Sequence, residues 1–409
     1  MPRRLDDARP IEVTLISTLP PHMGVADYTA HLVGGLAQVP TISLEVVDFA
    51  SLYPRWVYPG GTLRDPTARR PQFPNVRIRT LLSWYNPLSW IFAGLTLRGR
   101  VVHAQWWSYA LAPVFLVILG IARLRRRKIV MTVHNVEPHE GGRLRRFLNK
   151  LVLGLAHVYV VHTTRSFDSL VRQGTNSERI AIIPMGVLTS PGRTPSTGEA
   201  RRALGVQDSA KVVLHFGNVR PYKGVSVLLR AFAKVRARVP GALLLIAGSP
   251  WEDWAPYEAL IDELRLTDAV QTQLEFVPAE QVATLFAAAD LVVLPYTHFD
   301  AQSAVGAQAL HYGKALVVSD VGGLPELVAD SRFVVPPADV ARLAEALTEV
   351  LMDDEVRQRL EDGARQLARE LQWDAIGEKT AALYHALADG AAGNVQAASL
   401  AEERSSDQK

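Results

Sequence analysis

The chain has 409 residues, 48% hydrophobic and 21% charged, which suits two globular domains and excludes a disordered or fibrous polymer. It has no cysteine, which excludes disulfides and thiolate chemistry and points to a reducing compartment. The net charge of +3 conceals a split: residues 1–200 hold 24 Lys+Arg against 12 Asp+Glu, and the remaining 209 hold 20 against 29. A basic half joined to an acidic half suggests that the first faces an anionic partner.

The N-terminus, "MPRRLDDARPIEVTLIS", lacks an apolar core followed by a cleavage site, so secretion is not expected. Strand-like runs follow at Glu12–Ser17, Leu44–Phe49, Val101–Ala104, Ile129–Val133, Val158–Val161 and Ile180–Ile183. Helical stretches fall between them, at Gly24–Ala37 and Leu144–Leu155 among others. Segment 51–79 holds five prolines and little periodicity and reads as an irregular excursion. The most apolar window, Ala110–Ala122, is too short to span a bilayer and suits a core helix. Residues 188–202, "LTSPGRTPSTGEARR", read as an interdomain linker. Beyond it, strand-like runs recur at Lys211–Phe216, Ala242–Ala247, Gln273–Val277, Leu291–Leu294, Ala315–Ser319 and Phe333–Val335, with helices at Val225–Arg238, Glu280–Ala288 and Val340–Leu351. The tail, 389–409, is rich in Ala, Gly and Ser and is expected to be mobile.

Short, non-alternating Val/Ile/Leu strands separated by helices predict doubly wound parallel α/β sheets. In such folds ligands bind beyond the carboxyl ends of the strands, so the loops there carry the candidates. After the first strand, Pro20 and Pro21 break the run and Gly24 opens a helix whose N-terminus can receive an anion or stay capped and empty. In "LHFGNVRPYKGVSVLL", Gly217 ends a strand and Arg220 and Lys223 follow. Two cations there suit a diphosphate; a salt-bridged surface loop is the other reading. In "LVVLPYTHFDAQSAVGAQALHYGKALVVSDVGGLPE", a strand leads into a helix start crowded with small residues, among them Ser303, Ala304 and Gly306. The backbone N–H groups of Ser303, Ala304 and Val305 could then meet an anion closely, or the small residues could pack the helix on its sheet. Asp300 and Gln308, eight positions apart, can accept hydrogen bonds from hydroxyls. Their other readings are a helix cap and a surface amide. His134 ends the strand Ile129–Val133 and is either structural or a group facing a sugar or a reacting centre. His139 and Glu140 are spaced too closely for an H-E-x-x-H zinc site, and no metal set or nucleic-acid module is found.

The motifs "PPHMGVADYTAHL", "VHNVEPHE", "IIPMGV", "FGNVRPYKG", "LIAG", "LPY" and "GKALVVSDVGGLPE" occur in order over about residues 11–330, and "WDAIGEKTAALYHAL" closes the set. Together they resemble the family-4 retaining glycosyltransferases of the GT-B fold, also called group 1 glycosyltransferases. The resemblance implies two Rossmann-like domains facing an interdomain cleft: an acceptor domain, 1–190, completed by the helix 373–388, and a donor domain, 200–372. It implies a nucleoside-diphosphate sugar as substrate, no cofactor and no metal, with Arg220 and Lys223 on the diphosphate, Gly24 near the phosphates and His134 near the transferred sugar. The family often carries two glutamates where this chain has Asp300 and Gln308, so the donor pocket is altered. The expected reaction moves a hexose-type sugar to an acceptor hydroxyl with retention, in polysaccharide, glycolipid or glycoconjugate synthesis. Alternatives are a nucleotide-sugar epimerase of the same fold, a non-catalytic sugar-nucleotide-binding homologue, and a hinge-type sugar-binding protein, which would need no cationic pair and would usually carry an export signal.

The basic half adds an expectation about location. "RLRRRK" at 123–128 reads as a solvated helix end, while 141–157, "GGRLRRFLNKLVLGLAH", alternates cations with apolar residues. Such a helix either lies on an anionic membrane surface or packs its apolar face on the sheet. The first option gives a cytoplasmic enzyme docked peripherally at the inner face of the membrane, with a lipid-linked or glycan acceptor and no nucleic-acid partner.

Overall fold

The computed structural model describes residues 10–22, 24–53, 63–65, 68–136, 143–189 and 192–390. His139, Glu140 and nearly all of the predicted tail lie outside the described residues. The chain forms two compact units, residues 1–186 with 372–409, and residues 187–371.

The first unit is built on β1 (Ile11–Ser17), β2 (Ile42–Ser51), β3 (Arg77–Ser83), β4 (Val101–Trp106), β5 (Lys128–Val133), β6 (Val158–Val161) and β7 (Ile180–Ile182). They form one sheet in the order β3-β2-β1-β4-β5-β6-β7, every pairing parallel. Its helices are α1 (Ala26–Ala37), α2 (Pro87–Thr96), α3 (Ala112–Leu124), α4 (Arg143–Leu153), α5 (Thr164–Arg172) and, from the far end of the chain, α13 (Trp373–Ala388). All six residues of β4 are buried, as a strand covered on both faces requires. On one face His103 bonds Tyr384 of α13 through Nδ1 at 2.6 Å. On the other, Trp106 donates to Asn149 of α4 at 2.6 Å.

The predicted excursion at 51–79 is corrected at its end, where β3 begins. Its sequence, RIRTLLS, carries Arg77 and Arg79, which pair with the buried Glu45 of β2 at 3.7 and 3.3 Å. An edge strand tolerates charges that an apolar-run search rejects. The window Ala110–Ala122 does become a core helix, α3, with Phe115, Ile118 and Leu119 fully buried.

The second unit contains α6 (Thr197–Ala203), β8 (Lys211–Phe216), α7 (Val225–Arg238), β9 (Ala242–Ala247), α8 (Ala255–Glu263), β10 (Val270–Gln273), α9 (Ala279–Ala288), β11 (Leu291–Leu294), α10 (Ala304–His311), β12 (Ala315–Ser319), β13 (Val334–Val335), α11 (Val340–Met352) and α12 (Asp354–Glu370). The strand order is β10-β9-β8-β11-β12-β13, again wholly parallel. The strand expected at Gln273–Val277 lies earlier, at 270–273: the polar edge VQTQ pairs with β9, and the apolar residues after it form a loop. Both sheets reverse winding direction once, between β1 and β4 and between β8 and β11. These are the switch points at which doubly wound sheets open a ligand crevice.

α13 lies on α1 through two glycines. A Cβ on Gly35 would stand 2.1 Å from the Trp373 carbonyl oxygen, and one on Gly377 would stand 2.5 Å from the Gly35 carbonyl carbon. Gly35→Val is therefore expected to destabilise the first unit by about 1–3 kcal/mol in urea unfolding. Gly120→Ala, at a helical position with nothing within 4 Å of the added carbon, is expected to be neutral or stabilising by about 0.5–1 kcal/mol. Equal midpoints for Gly35→Val and the parent chain would refute this account of the helix crossing.

Candidate functional site

The second unit draws three strand ends together. Gly248, after β9, has φ +137°, and a Cβ there would come 2.5 Å from the Gly217 carbonyl carbon. Gly217, after β8, has φ +98°. Gly224 has φ +71°, and its Cβ would sit 2.0 Å from the Pro295 carbonyl oxygen, just after β11. The Thr297 N–H then donates to the Tyr222 carbonyl at 2.7 Å, and the Trp251 N–H to the Val219 carbonyl at 2.9 Å. Only glycine fits these approaches, so the loops after β9, β8 and β11 close on one another at the switch point.

Lys223 is held in this knot. It is 7% exposed, and a Cβ on Gly217 would stand 2.7 Å from its Nζ and 3.1 Å from Val305 Cγ2. The Tyr296 ring is 5.5 Å from Nζ. Among the described residues no carboxylate pairs with Lys223. Burial, followed by the nearby Arg220 guanidinium, pushes its ammonium down to about 7 from the ordinary 10.5. The same burial, with Lys223 contributing, takes the His215 imidazole to about 3, so the neighbouring ring stays neutral. Arg220 stacks its guanidinium on Trp251 at 3.7 Å and also has no ion pair among the described residues. A stacked guanidinium beside a buried ammonium, neither with a carboxylate partner among the described residues, has the chemistry that suits a dianion. The surface-loop reading of this segment fails on Lys223's burial.

The α10 start resolves several readings. Ser303, not Asp300, is the helix cap: its Oγ accepts from the Gly306 N–H at 3.3 Å and lies 3.5 Å from Tyr296 Oη. No described hydrogen bond takes the N–H of Ala304 or Val305. Gly306 is small for packing, because a Cβ would meet Leu327 Cδ1 at 2.3 Å, and Ala307 and Ala309 are buried in the core. The bareness of this turn is thus divided: Ala304 is open to a ligand, while Gly306, Ala307 and Ala309 fit the sheet. Gln308 is partly buried, and no described hydrogen bond engages its side-chain amide. Asp300 is exposed in a loop braced by Gly322, whose φ is +53° and whose Cβ would crowd the Phe299 and Ala301 carbonyls. The structure therefore brings Gly217, Lys223, Val305 and, through Tyr296, Ser303 together. Trp251, Tyr296 and His215 complete the site without having been singled out in the sequence. The "GSPW" that follows β9 was the available signal for Trp251.

In the first unit, His134 ends β5. Its Nε2 shares a 2.6 Å hydrogen bond with Gln105 Oε1, so the ring donates there and leaves Nδ1 as acceptor. Its ring meets Tyr28 edge-on at 4.8 Å and His162 at 5.2 Å. Burial, then His162 and His103, holds its pKa well below the ordinary 6.5. His134 is thus a neutral hydrogen-bonding ring. Gly24, at φ +83°, precedes α1, whose N-cap Val25 offers no side-chain bond to the first turn. Among the described residues no group of three or more His, Asp or Glu is placed to hold a metal.

Two doubly wound units, one with Lys223 and Arg220 gathered at its switch point, have the α/β architecture of the GT-B fold. Residues 196–367 match the family model described as glycosyl transferases group 1. A D-inositol 3-phosphate glycosyltransferase of Corynebacterium urealyticum is 31% identical over 309 residues, 71% of this chain and 72% of the relative. One from Corynebacterium diphtheriae is 28% identical over 304 residues, 70% and 71% of the two chains. By fold, the sucrose-phosphate synthase of Thermosynechococcus elongatus matches with a TM-score of 0.72 at 20% identity, over 93% of this chain and all of that one. HepE of Anabaena, solved with UDP and glucose, matches at 0.70 and 18%, over 92% of this chain and 100% of that one. The chain belongs to the group 1 glycosyltransferases and is a glycosyltransferase enzyme.

Lys223 yields a test of the site's electrostatics. Its folded pKa of about 7 lies below the ordinary 10.5, so the folded protein holds fewer protons than the unfolded chain between those values. The penalty for burying the charge is full below pH 7 and is relieved as pH rises from about 7 to 10.5. Lys223→Met should thus raise the melting temperature of the ligand-free protein at pH 6, with the gain shrinking towards pH 10. A lower melting temperature at pH 6 would refute the unpaired-ammonium description.

Proposed function

We propose that this glycosyltransferase moves a hexose-type sugar from a nucleoside-diphosphate donor to an acceptor hydroxyl with retention at the anomeric carbon. The observation that carries the reading is the pair of cations without carboxylate partners, Lys223 and Arg220, at the carboxyl edge of β8. The bond from the anomeric carbon to the diphosphate oxygen breaks, and its electron pair stays on the phosphate. Lys223, Arg220 and the N–H groups of Ala304 and Val305 stabilise that growing charge. The acceptor oxygen bonds the anomeric carbon from the same face, and its proton passes to the departing phosphate oxygen. In this reading two fixed cations take the part a divalent metal would otherwise play, and the reaction needs none.

Gln308 accepts from the ribose hydroxyls through its amide oxygen, and Asp300 contacts the sugar. The neutral ring of His134 serves the transferred sugar as a hydrogen-bonding group. The relatives named for D-inositol 3-phosphate support a polyol or glycan hydroxyl as acceptor, and HepE's bound UDP and glucose support a nucleotide-sugar donor. The product then belongs to glycoconjugate, glycolipid or polysaccharide synthesis.

The deciding experiment screens nucleotide-sugars by thermal shift and then follows product stereochemistry by proton NMR. An inverted anomeric centre would end the retention claim. Arg220→Ala and Lys223→Ala should each weaken free nucleoside-diphosphate binding by about 1.5–3 kcal/mol in calorimetry. Unchanged affinity in both would remove the phosphate assignment. Binding at about pH 7.5 should take up protons onto Lys223, seen as a dependence of the heat on buffer ionisation enthalpy. Gln308→Glu should retain turnover, whereas Asp300→Ala should weaken donor-sugar binding and leave diphosphate affinity nearly intact. Dialysis against EDTA should leave the rate unchanged, and a strict metal requirement would refute the mechanism.

A further inference from the structure

One face of the first unit carries an apolar surface that no part of the described protein covers. α2 turns Trp90, Ala93 and Gly94 inward. Its outward positions are apolar too: Leu88, Ile91, Phe92 and Leu95 are 73, 42, 57 and 57% exposed, at the i, i+3, i+4, i+7 spacing of a single stripe. α2 packs on α3, with Gly94 set against Ile121, and α3 packs on α4. The two helices next in this layer also expose apolar residues. α3 exposes Leu124 at 85%, and α4 exposes Leu144 and Phe147 at 70 and 57% while burying Val152 and Leu153. α4 thus packs part of its apolar surface inward and leaves part of it exposed. A monomer seldom leaves an apolar stripe such as that of α2 open without a use for it.

Cations gather beside this face. From Pro66 to Val136 the sequence has eleven Lys and Arg and no Asp or Glu, although Arg70, Arg77 and Arg79 of this run pair with Asp48 and Glu45 of β2. Arg98, Arg100 and Arg126 are exposed beside the C-terminal ends of α2 and α3. Arg125 donates to the Gly94 and Leu97 carbonyls at 3.1 and 3.2 Å, and Arg123 donates to the Leu155 carbonyl at 2.9 Å. The predicted solvated helix end thus ties three helix C-termini together and gathers cations there. Arg146 and Lys150 of α4 are exposed beside its apolar residues.

We propose that the α2–α3–α4 face is a docking surface for an anionic lipid bilayer, with α2 as its inserting element. The exposed Leu and Phe side chains enter the acyl boundary, and the arginines meet lipid phosphates. Tyr85, 60% exposed at the start of α2, sits at headgroup depth as interfacial aromatics do. A second copy of this chain is disfavoured as the occupant, because a two-fold contact would set the exposed cations of one copy against those of the other. The docking surface is independent of which donor or acceptor the enzyme uses.

The test is co-sedimentation of the full chain with phosphatidylcholine vesicles, with or without phosphatidylglycerol, at low and high salt, alongside its molar mass by light scattering. Binding should require phosphatidylglycerol and fade with salt. It should fall at least about tenfold in Phe92→Asp, whose exposed position leaves the melting temperature unchanged. Arg98→Ala and Arg146→Ala should each lower partitioning about fivefold. A chain that stays in the supernatant with phosphatidylglycerol vesicles at low salt would overturn the proposal. So would a dimer that Phe92→Asp dissociates without changing sedimentation, which would assign the stripe to a contact between copies.

Discussion

The site depends on three backbones approaching more closely than any side chain allows. Gly248 lies on Gly217, and Gly224 lies on the Pro295 carbonyl. Each contact joins loops from different strands at the carboxyl edge of the second sheet. A parallel sheet alone would leave those loops separate. Closing them buries Lys223, which has no carboxylate partner among the described residues. The low pKa of that lysine is the electrostatic record of the closure. Because the charge is costly in the empty protein, it is stabilised when a dianion arrives. Loop geometry, lysine burial and, in the proposed function, donor affinity are in this sense one property.

The same closure explains the division of labour between Arg220 and Lys223. The guanidinium stays partly exposed on the Trp251 face, which orients its planar fork without neutralising it. The ammonium, a point charge, is placed deeper, where the lower local dielectric strengthens its attraction for phosphate. Exchanging the two residue types would put a bulky fork in the space beside Gly217 and Val305 and a flexible chain on the indole. The motif "FGNVRPYKG" therefore encodes positions as well as charges.

Much of this was legible in the sequence because parallel strands announce themselves. Runs such as VVLHF and LVVL are apolar throughout, since both faces are covered, and their loops fall where a doubly wound sheet places ligands. The misreadings came from sheet edges. β3 alternates Arg77 and Arg79 with apolar residues because Glu45 waits on the neighbouring strand, and β10 is polar because only one neighbour pairs with it. The small-residue turn of α10 could not be divided from sequence at all. Whether Gly306 is small for a ligand or for Leu327 is a question about a residue some twenty positions away. The exchange of Asp300 from helix cap to loop residue is of the same kind: Ser303 satisfies the same local chemistry, and only the backbone shows which one does.

The α2 stripe marks the opposite limit. Its sequence, PLSWIFAGLT, is apolar on both faces, and a sequence search cannot tell a helix buried all round from one buried on one side. In the fold, α3 and the sheet cover one side of α2 and nothing described covers the other. The neighbouring acid-free stretch then takes on meaning. Arginines that cap helix carbonyls need no partner sign around them, so a fold alone would tolerate scattered Asp and Glu here, as it does in α11 and α12, where Arg342, Arg357 and Arg365 each pair with acids. The segment that exposes Leu and Phe carries no acid of its own, which is what the proposed docking on a negatively charged apolar boundary requires.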